Sequence, residues 1–427
     1  MNRMPDLPAP EVYDICVIGG GPAGLATALA IAERGCRVTV LAPDLAAPHA
    51  DTPRDTRTTA ILGDGITLLQ NLGVWEALQP LSAPLEAIRI IDDRGGWLSA
   101  PEVLFQAREM ALDAFGYNVP NEPLRAELLA RAARTPGIKL MATKGVVSVV
   151  PSPDAVLLRT AENKACLARL VVAADGRASI ARAAAGISTR VWTYPQVAIA
   201  VSFGHARPHG GVSTEMHRRV GPLTTVPLPD DANGPRSSLV WVETPDEAAR
   251  LLALPDDAFA AALQQQLKGH LGCVRDVGRR GTFPIAGLMA VTAAKGRVML
   301  AGEAAHVLPP IGAQGLNLGF RDAAAIADAV ASAVDPGAAE VVQGYARARA
   351  ADLVSREIGI DLLNRALLFD MLPVQALRGL GLHALANSAT LRRAAMQMGL
   401  SAPGAVPSLM RPQHLELRTP KPLANAG

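Results

Sequence analysis

The apolar run Ile15 to Ile18, the glycines that follow it and a second apolar run ending near Ala32 set the first pattern in the chain. A short continuous apolar run reads as a buried strand. The glycines then turn the chain into an apolar helix ending near Arg34, and Arg37 to Leu41 reads as a second strand, so a βαβ unit opens here. Ile15 to Ala32 is also the longest apolar stretch, but Gly19-Gly20-Gly21-Pro22 interrupts it and Asp14 and Glu33 bracket it. Strand, turn and helix therefore explain it better than a membrane span, and no span is expected elsewhere. Further on, Gly116 to Arg134 reads as a loop and an amphipathic helix carrying Leu124, Leu128 and Leu129 on one face. Leu170 to Ala174 is another short buried strand, ending at Asp175-Gly176.

The pattern changes between Val191 and Thr282. Apolar and polar positions alternate, as in Val197-Ala198-Ile199-Ala200-Val201 and Ser238-Leu239-Val240-Trp241-Val242, and Pro and Gly turns are frequent. This is the signature of a mostly antiparallel sheet. Arg297 to Ala301 then returns to a buried strand, followed by a Gly-rich loop and a helix over Asn317 to Val330. The expected architecture is α/β. A nucleotide-binding domain is built from 11–80, 115–190 and 285–352, and a β-rich domain from 81–114 and 191–284 is inserted in it. Leucine-rich helices follow over 353–400. Residues 1–10 read as a loose leader and 401–427 as a Pro-rich tail. There are no internal repeats.

Composition narrows the class. With 49% hydrophobic and 19% charged residues in 427, the bulk of the chain can fold around a core. A net charge of +2 gives no global field for nucleic acid. The four cysteines, Cys16, Cys36, Cys166 and Cys273, are far apart and form no metal-ligand spacing, so they read as reduced, buried thiols of a cytoplasmic protein, and no metal is expected.

Three motifs carry the candidate chemistry. Gly19-x-Gly21-x-x-Gly24 directly follows a strand and opens a helix. In a dinucleotide site the first glycine makes the tight turn, the second lets the backbone approach a pyrophosphate, and the third lets helix and strand pack closely. The helix start, with Ala23 in its first turn, offers unpaired N–H groups and about half a positive charge. The acidic residue that would hold the adenosine ribose falls at Ala42 by strict register. Asp44, two residues on, could reach the ribose or be a solvated loop residue. The second motif is Asp175-Gly176 at a strand end. The third runs from Gly302-Glu303 through His306, Pro309, Gly312, Gln314 and Gly315 to Asn317 and Asp322. A carboxylate at a strand end can accept from sugar hydroxyls, and the amides of the following helix suit a ring that becomes anionic on reduction, as a flavin does.

In this order and spacing the motifs resemble class A FAD-dependent aromatic monooxygenases. Several segments are similar to the ubiquinone-biosynthesis hydroxylases among them: Asp55-Thr56-Arg57, Leu72-Gly73-Val74-Trp75, Tyr194-Pro195-Gln196, Arg207-Pro208-His209-Gly210, Gly221-Pro222-Leu223 with Pro227-Leu228-Pro229, and Gly315 to Asp322. The resemblance covers about Tyr13 to Leu400. It implies a Rossmann-like FAD domain of the glutathione-reductase type with an inserted substrate domain. It also implies non-covalent FAD, with NAD(P)H or another electron donor and O2 as co-substrates. Arg57 and Arg125 match positions that contact FAD, Asp175 and Gly176 the motif linked to FAD and NAD(P)H, and Glu303 the flavin-sugar carboxylate. Glu303 stands where most members have Asp, and Gly312-Ala313-Gln314-Gly315 replaces the usual Ala-Gly-Gln-Gly.

The implied reaction is hydroxylation of the aromatic ring of a polyprenylated phenol by a C4a-hydroperoxyflavin. The alternatives are a hydroxylase of a small soluble aromatic and a non-catalytic prenyl-binding carrier on the same fold. His306 is a candidate base or a hydrogen-bonded loop residue, and Pro309 shapes the flavin face. Tyr194, Gln196 and His217 are candidates to face substrate, against plain packing. No phenol-activating base is identified. From Met371 onward, leucines and methionines mix with Arg378, Arg392, Arg393, Arg411, Arg418 and Lys421. That mixture suits peripheral contact at the inner membrane or a seat in a biosynthetic complex, and equally a cap on the core.

Overall fold

The computed structural model describes residues 11–43, 45, 55–94, 101–309, 314–352, 381–400 and 405–412. Asp44, Gly312, the leader and most of the tail lie outside them. Among the described residues the strands form three sheets. The first is built on a parallel core in which Glu11–Ile18 sits between Ala165–Ala173 and Val38–Ala42, with Val298–Leu300 and Ile138–Ala142 outside them. Burial on both faces explains why these strands read as apolar runs rather than alternations.

Helix Pro22–Ala32 is buried from Gly24 to Ile31 and packs against helices Asn121–Arg134 and Gln314–Val330 as well as the sheet. Its alanines allow that close approach, and two glycines permit its entry. Gly19 adopts φ +124°, and a Cβ there would meet the Ala174 carbonyl oxygen. A Cβ on Gly24 would meet the carbonyl of Gly19. Gly21 is different, because a Cβ on it meets nothing within 4 Å.

The second sheet has nine strands. Long antiparallel strands Thr189–His205, Pro222–Asp231, Gly234–Glu243 and Gly281–Ala290 form its centre. Val212–His217 pairs antiparallel with Pro222–Asp231 and parallel with Ala87–Asp92. One face places Ile199, Val201, Phe203, Met216, Leu223 and Trp241 against helices Pro245–Leu252 and Asp256–Gln266. Those helices lie inside the stretch expected as sheet. Thr244 caps the first through the Glu247 N–H, Pro245 occupies its first turn, and Phe259 and Leu263 give the second its helical period. The opposite face meets the three-stranded sheet, where Thr58 and Asn118 bond Ser238 and Asn118 donates to the Pro227 carbonyl.

Two expectations need correction at this level, and one alternative is borne out. Of the two readings for the C-terminal stretch, Leu382, Leu385, Met396 and Leu400 follow the cap on the core: they pack with Val103, Phe105 and Phe115. Arg392 is tied to Glu109 at 3.1 Å. Only Leu391 and Met398 of the leucine and methionine set are exposed on helix Ala389–Leu400, at 48% and 75%. Within the expected tail, Leu409 and Met410 are buried in the core around helix Gly63–Asn71, and Asn71 donates to the Leu409 carbonyl at 2.7 Å. Cys273 is exposed because Val274 takes the inward position beside it. Leu372, Leu377, Leu380, Arg378, Arg418 and Lys421 lie outside the described residues. Among those described, no helix is long and apolar enough to cross a membrane.

The glycine geometry gives a stability prediction. Gly24→Ala should lower the unfolding free energy of the apoprotein in urea by about 1–3 kcal/mol, because the added methyl must displace backbone. Gly21→Ala should leave it unchanged. Equal effects of the two substitutions would refute the packing role of Gly24.

Candidate active site

A cavity of about 500 Å³ opens where the parallel strands end. Its lining comes from the turn and first residues of helix Pro22–Ala32 (Gly21, Ala23 and Gly24), from Arg57, from Arg125, and from Gly176 and Arg177. Glu303, His306 and Gly315 complete it from the third motif. Crossing of strand ends with helix starts is what brings these distant segments together.

The first helix begins at Gly21 without any side-chain cap, so its leading N–H groups face the cavity unsatisfied. Arg125 donates to the Gly20 carbonyl at 3.0 Å and braces the turn. Arg57 is held in a two-point pair with Asp55, both contacts at 2.8 Å. Burial would raise the Asp55 carboxyl, but the Arg57 hydrogen bonds outweigh it and hold it below the usual carboxylate range. Arg177 pairs with the half-exposed Glu303 at 3.1 Å. Cationic groups, helix N–H groups and an open glycine together fit the diphosphate of a dinucleotide, and Glu303 is free enough to turn to a sugar hydroxyl.

Some expected ligands take other roles. Asp175 does not line the cavity: its Oδ2 accepts from the N–H groups of Ile180 and Ala181 at 2.9 and 3.4 Å, at the start of helix Ile180–Ala184. Asn317 accepts from the Leu62 N–H at 3.0 Å and donates to the Ala60 carbonyl at 2.8 Å, stitching helix Gln314–Val330 to strand Thr58–Leu62. Gly19 lies beneath the turn against Ala174. Asp175 Oδ1 remains buried without a partner among the described residues, so the backbone takes only one of its two oxygens.

His306 is fully buried and lines the cavity. Its Nε2 donates to Asp322 at 2.7 Å, and its Nδ1 has no partner among the described residues. Asp322 also accepts from the Gly302 N–H at 2.9 Å and from Arg349 at 2.7 Å. Burial pushes the Asp322 carboxyl up, but Arg349 and His306 outweigh that and hold it down at about 2.

A second cavity of about 340 Å³ lies against the first. Leu308, Pro309, Gln314 and Leu316 wall it on the loop side, while Ala200, Thr224 and Val240 wall it from the second sheet. The two cavities share Arg57, Thr59, Asn121, Arg177, Leu308, Gly315 and Leu316. Tyr194, Gln196 and His217 line neither. Tyr194 accepts from Trp192 Nε1 at 2.9 Å, Gln196 bonds the Val220 carbonyl, and His217 contacts Glu215 at 2.7 Å. Glu215 is the acidic residue that the sheet delivers to this cavity, and the sequence reading passed over it. Its signal was the alternation Ser213, Glu215, His217 beside the apolar Met216.

Comparison with known proteins agrees with this arrangement. The family described as FAD binding domain matches residues 12–355. The ubiquinone hydroxylase UbiL of Rhodospirillum rubrum is 35% identical over 393 residues, covering 91% of this chain and 90% of that protein. The 3-demethoxyubiquinol 3-hydroxylase of Escherichia coli is 30% identical over 91% of this chain and 98% of its own. Among solved structures, p-nitrophenol 4-monooxygenase PnpA from Pseudomonas putida aligns with a TM-score of 0.73 at 20% identity, covering 92% of this chain and 100% of that one. HpxO from Klebsiella pneumoniae, complexed with FAD and uric acid, gives 0.69 at 17% identity, covering 92% and 97%. At those identities the two structures speak for the fold alone.

The open space at Gly21 makes the cofactor testable apart from folding. Gly21→Asp should purify folded, with apoprotein stability near wild type, yet lose most of its FAD because a carboxylate then faces the diphosphate. A folded, fully yellow variant would remove the diphosphate from this turn.

Proposed function

Since this chain belongs to the FAD binding domain family, we propose that it hydroxylates the aromatic ring of a polyprenylated phenol in ubiquinone biosynthesis. The relatives UbiL and 3-demethoxyubiquinol 3-hydroxylase support that substrate class. The observation that carries the reading is the shared wall between the two cavities. Gly315 and Leu308 line both cavities, so they would hold a cofactor ring from the polar cavity beside a substrate ring in the more apolar one.

The chain's own groups divide the work. The N–H groups of Gly21 and Ala23 would hold the diphosphate, and Arg57, Arg125 and Arg177 would balance its charge. Glu303 takes a sugar hydroxyl. The N-terminal amides of helix Gln314–Val330 support negative charge on the ring, and Leu308 and Pro309 exclude water from the shared wall. FAD, when bound, supplies the two-electron chemistry that activates O2. The balanced reaction consumes a ring C–H, O2, NAD(P)H and a proton, and yields a ring C–OH, water and NAD(P)+.

Incubation of the FAD-loaded protein with NAD(P)H, isotopically labelled O2 and a short-chain prenylated phenol tests this. One labelled oxygen in the product is expected. Oxidation of NAD(P)H to peroxide with every phenol tried, and no labelled product, would reject the reading.

The same substrate implies a peripheral membrane contact. A prenyl chain gains about 0.8 kcal/mol per CH2 from staying in the bilayer, so the protein must approach the lipid. Exposed Leu391 and Met398, with Arg393 on the same helix, offer apolar and basic contacts to anionic headgroups. Vesicles with anionic lipid should co-sediment the intact protein, and Leu391→Glu with Met398→Glu should release it. Equal binding by both forms would move the contact elsewhere.

A further inference from the structure

Glu215 is the acidic side chain among the residues lining the second cavity. Strand Val212–His217 sends Ser213, Glu215 and His217 to one face and Met216 to the other. Met216 is buried beneath the helices that cover the far face of the sheet, so register delivers Glu215 to the cavity. A slip of one residue would reverse this.

The Glu215 side chain is 17% exposed, and its Oε1 accepts from His217 Nε2 at 2.7 Å. A carboxylate only accepts, so Nε2 carries a proton, and Nδ1 is buried without a partner among the described residues. Among the described residues Oε2 has no protein partner. The register neighbours of Glu215 are Ile90 and Thr224, both uncharged, while Asp92 lies beside His217. The other charged groups lining this cavity are Arg57 and Arg177, both on the wall shared with the first cavity. A carboxylate oxygen open to the cavity and without a protein donor is available to a ligand that brings one. A phenol O–H is such a donor.

We propose that Glu215 is the base that takes the phenolic proton, held for that task by His217; the inference rests on the phenol-hydroxylation reading above. A phenol ionises near pH 10 and is neutral at pH 7, so its ring becomes electron-rich only as that proton leaves. The proton moves from the phenol oxygen to Glu215 as the ring carbon forms its bond to the electrophilic oxygen of the activated O2. The O–O bond would break there, with the other oxygen leaving as an oxyanion. The ring is then a dienone. The C–H proton of the new C–O carbon would pass to that oxyanion, which ends as water, restoring aromaticity, and the carbonyl oxygen takes the proton back from Glu215. His217 is a positioning residue: its hydrogen bond occupies Oε1 and leaves Oε2 to the substrate.

The test compares a short-chain prenylated phenol with its methyl ether. Binding to the oxidised, FAD-loaded full chain is followed by flavin absorbance without any reductant. The wild-type protein should prefer the phenol at least tenfold, the factor expected of a hydrogen bond to a charged group. Glu215→Ala should bind the two ligands within twofold. His217→Leu should erode the preference, and His217→Gln, which still donates, should restore it. Glu215→Gln keeps the shape but is a poor base, so it should reduce kcat by about 10²–10⁴ while FAD affinity and the rate of flavin reduction stay unchanged. A tenfold preference retained in Glu215→Ala, or wild-type kcat in Glu215→Gln, overturns the inference and leaves the hydroxylase reading intact. A wild-type protein that neither prefers the phenol nor hydroxylates it overturns both.

Discussion

The carboxylate of Asp322 holds the site together. It is completely buried, a position that costs several kcal/mol for an ion unless partners replace its water. Here the partners are the Gly302 N–H and the His306 ring, from the loop after strand Val298–Leu300, and the Arg349 guanidinium from a distant segment. Arg349 also pairs with Asp352, and Asp352 with Arg321, which reaches Asp64 at 3.0 Å. Tyr345, on the same segment as Arg349, donates to the Leu300 carbonyl at 2.6 Å. Strand Val298–Leu300, the loop after it and helix Gln314–Val330 are therefore locked to one another by charge. Glu303 and Leu308, which face the cavities, hang from that loop on either side of His306. Their placement depends on a carboxylate that touches neither cavity.

How far the sequence revealed this depends on whether a residue's role is local. Gly19, Gly21 and Gly24 act within six residues of one another, and strand, turn and helix are legible there from spacing alone. Asp175 and Asn317 stand in equally recognisable motifs, but their partners are backbone groups, and for Asn317 those groups lie some 255 residues away. Spacing along the chain cannot say which backbone a polar side chain will meet. The leucines after residue 380 show the same limit. Leu382 and Leu400 belong to a small core with Phe105 and Phe115, and nothing in their own stretch announces a partner from the first quarter of the chain. Glu215 was hidden for a different reason. Alternation showed that 213, 215 and 217 share a face, but not which face of the sheet the helices of 245–266 would cover.

The division of labour among the glycines separates fold from function within one motif. Gly19 and Gly24 are required by the protein itself, because a Cβ at either would strike backbone. Gly21 has open space and is required only by what lies in the cavity. A single glycine pattern thus contains two packing constraints and one ligand constraint, and only the last reports on chemistry.

The C-terminal helices connect that chemistry to the substrate's other end. Phe115 and Ile88 line the second cavity on one side and belong to the cluster with Leu382 and Met396 on the other. The helices 381–400 therefore buttress a wall of the pocket in which the proposed phenol ring would sit. A polyprenyl chain favours lipid by about 0.8 kcal/mol per CH2, so a protein that encloses only the ring avoids extracting the tail. In that arrangement the helix bearing Leu391 and Met398 would serve both ends, its inner residues supporting the wall of the second cavity and its exposed ones free for the proposed lipid contact. An enzyme for a small soluble aromatic would need the wall but not the exposed outer residues.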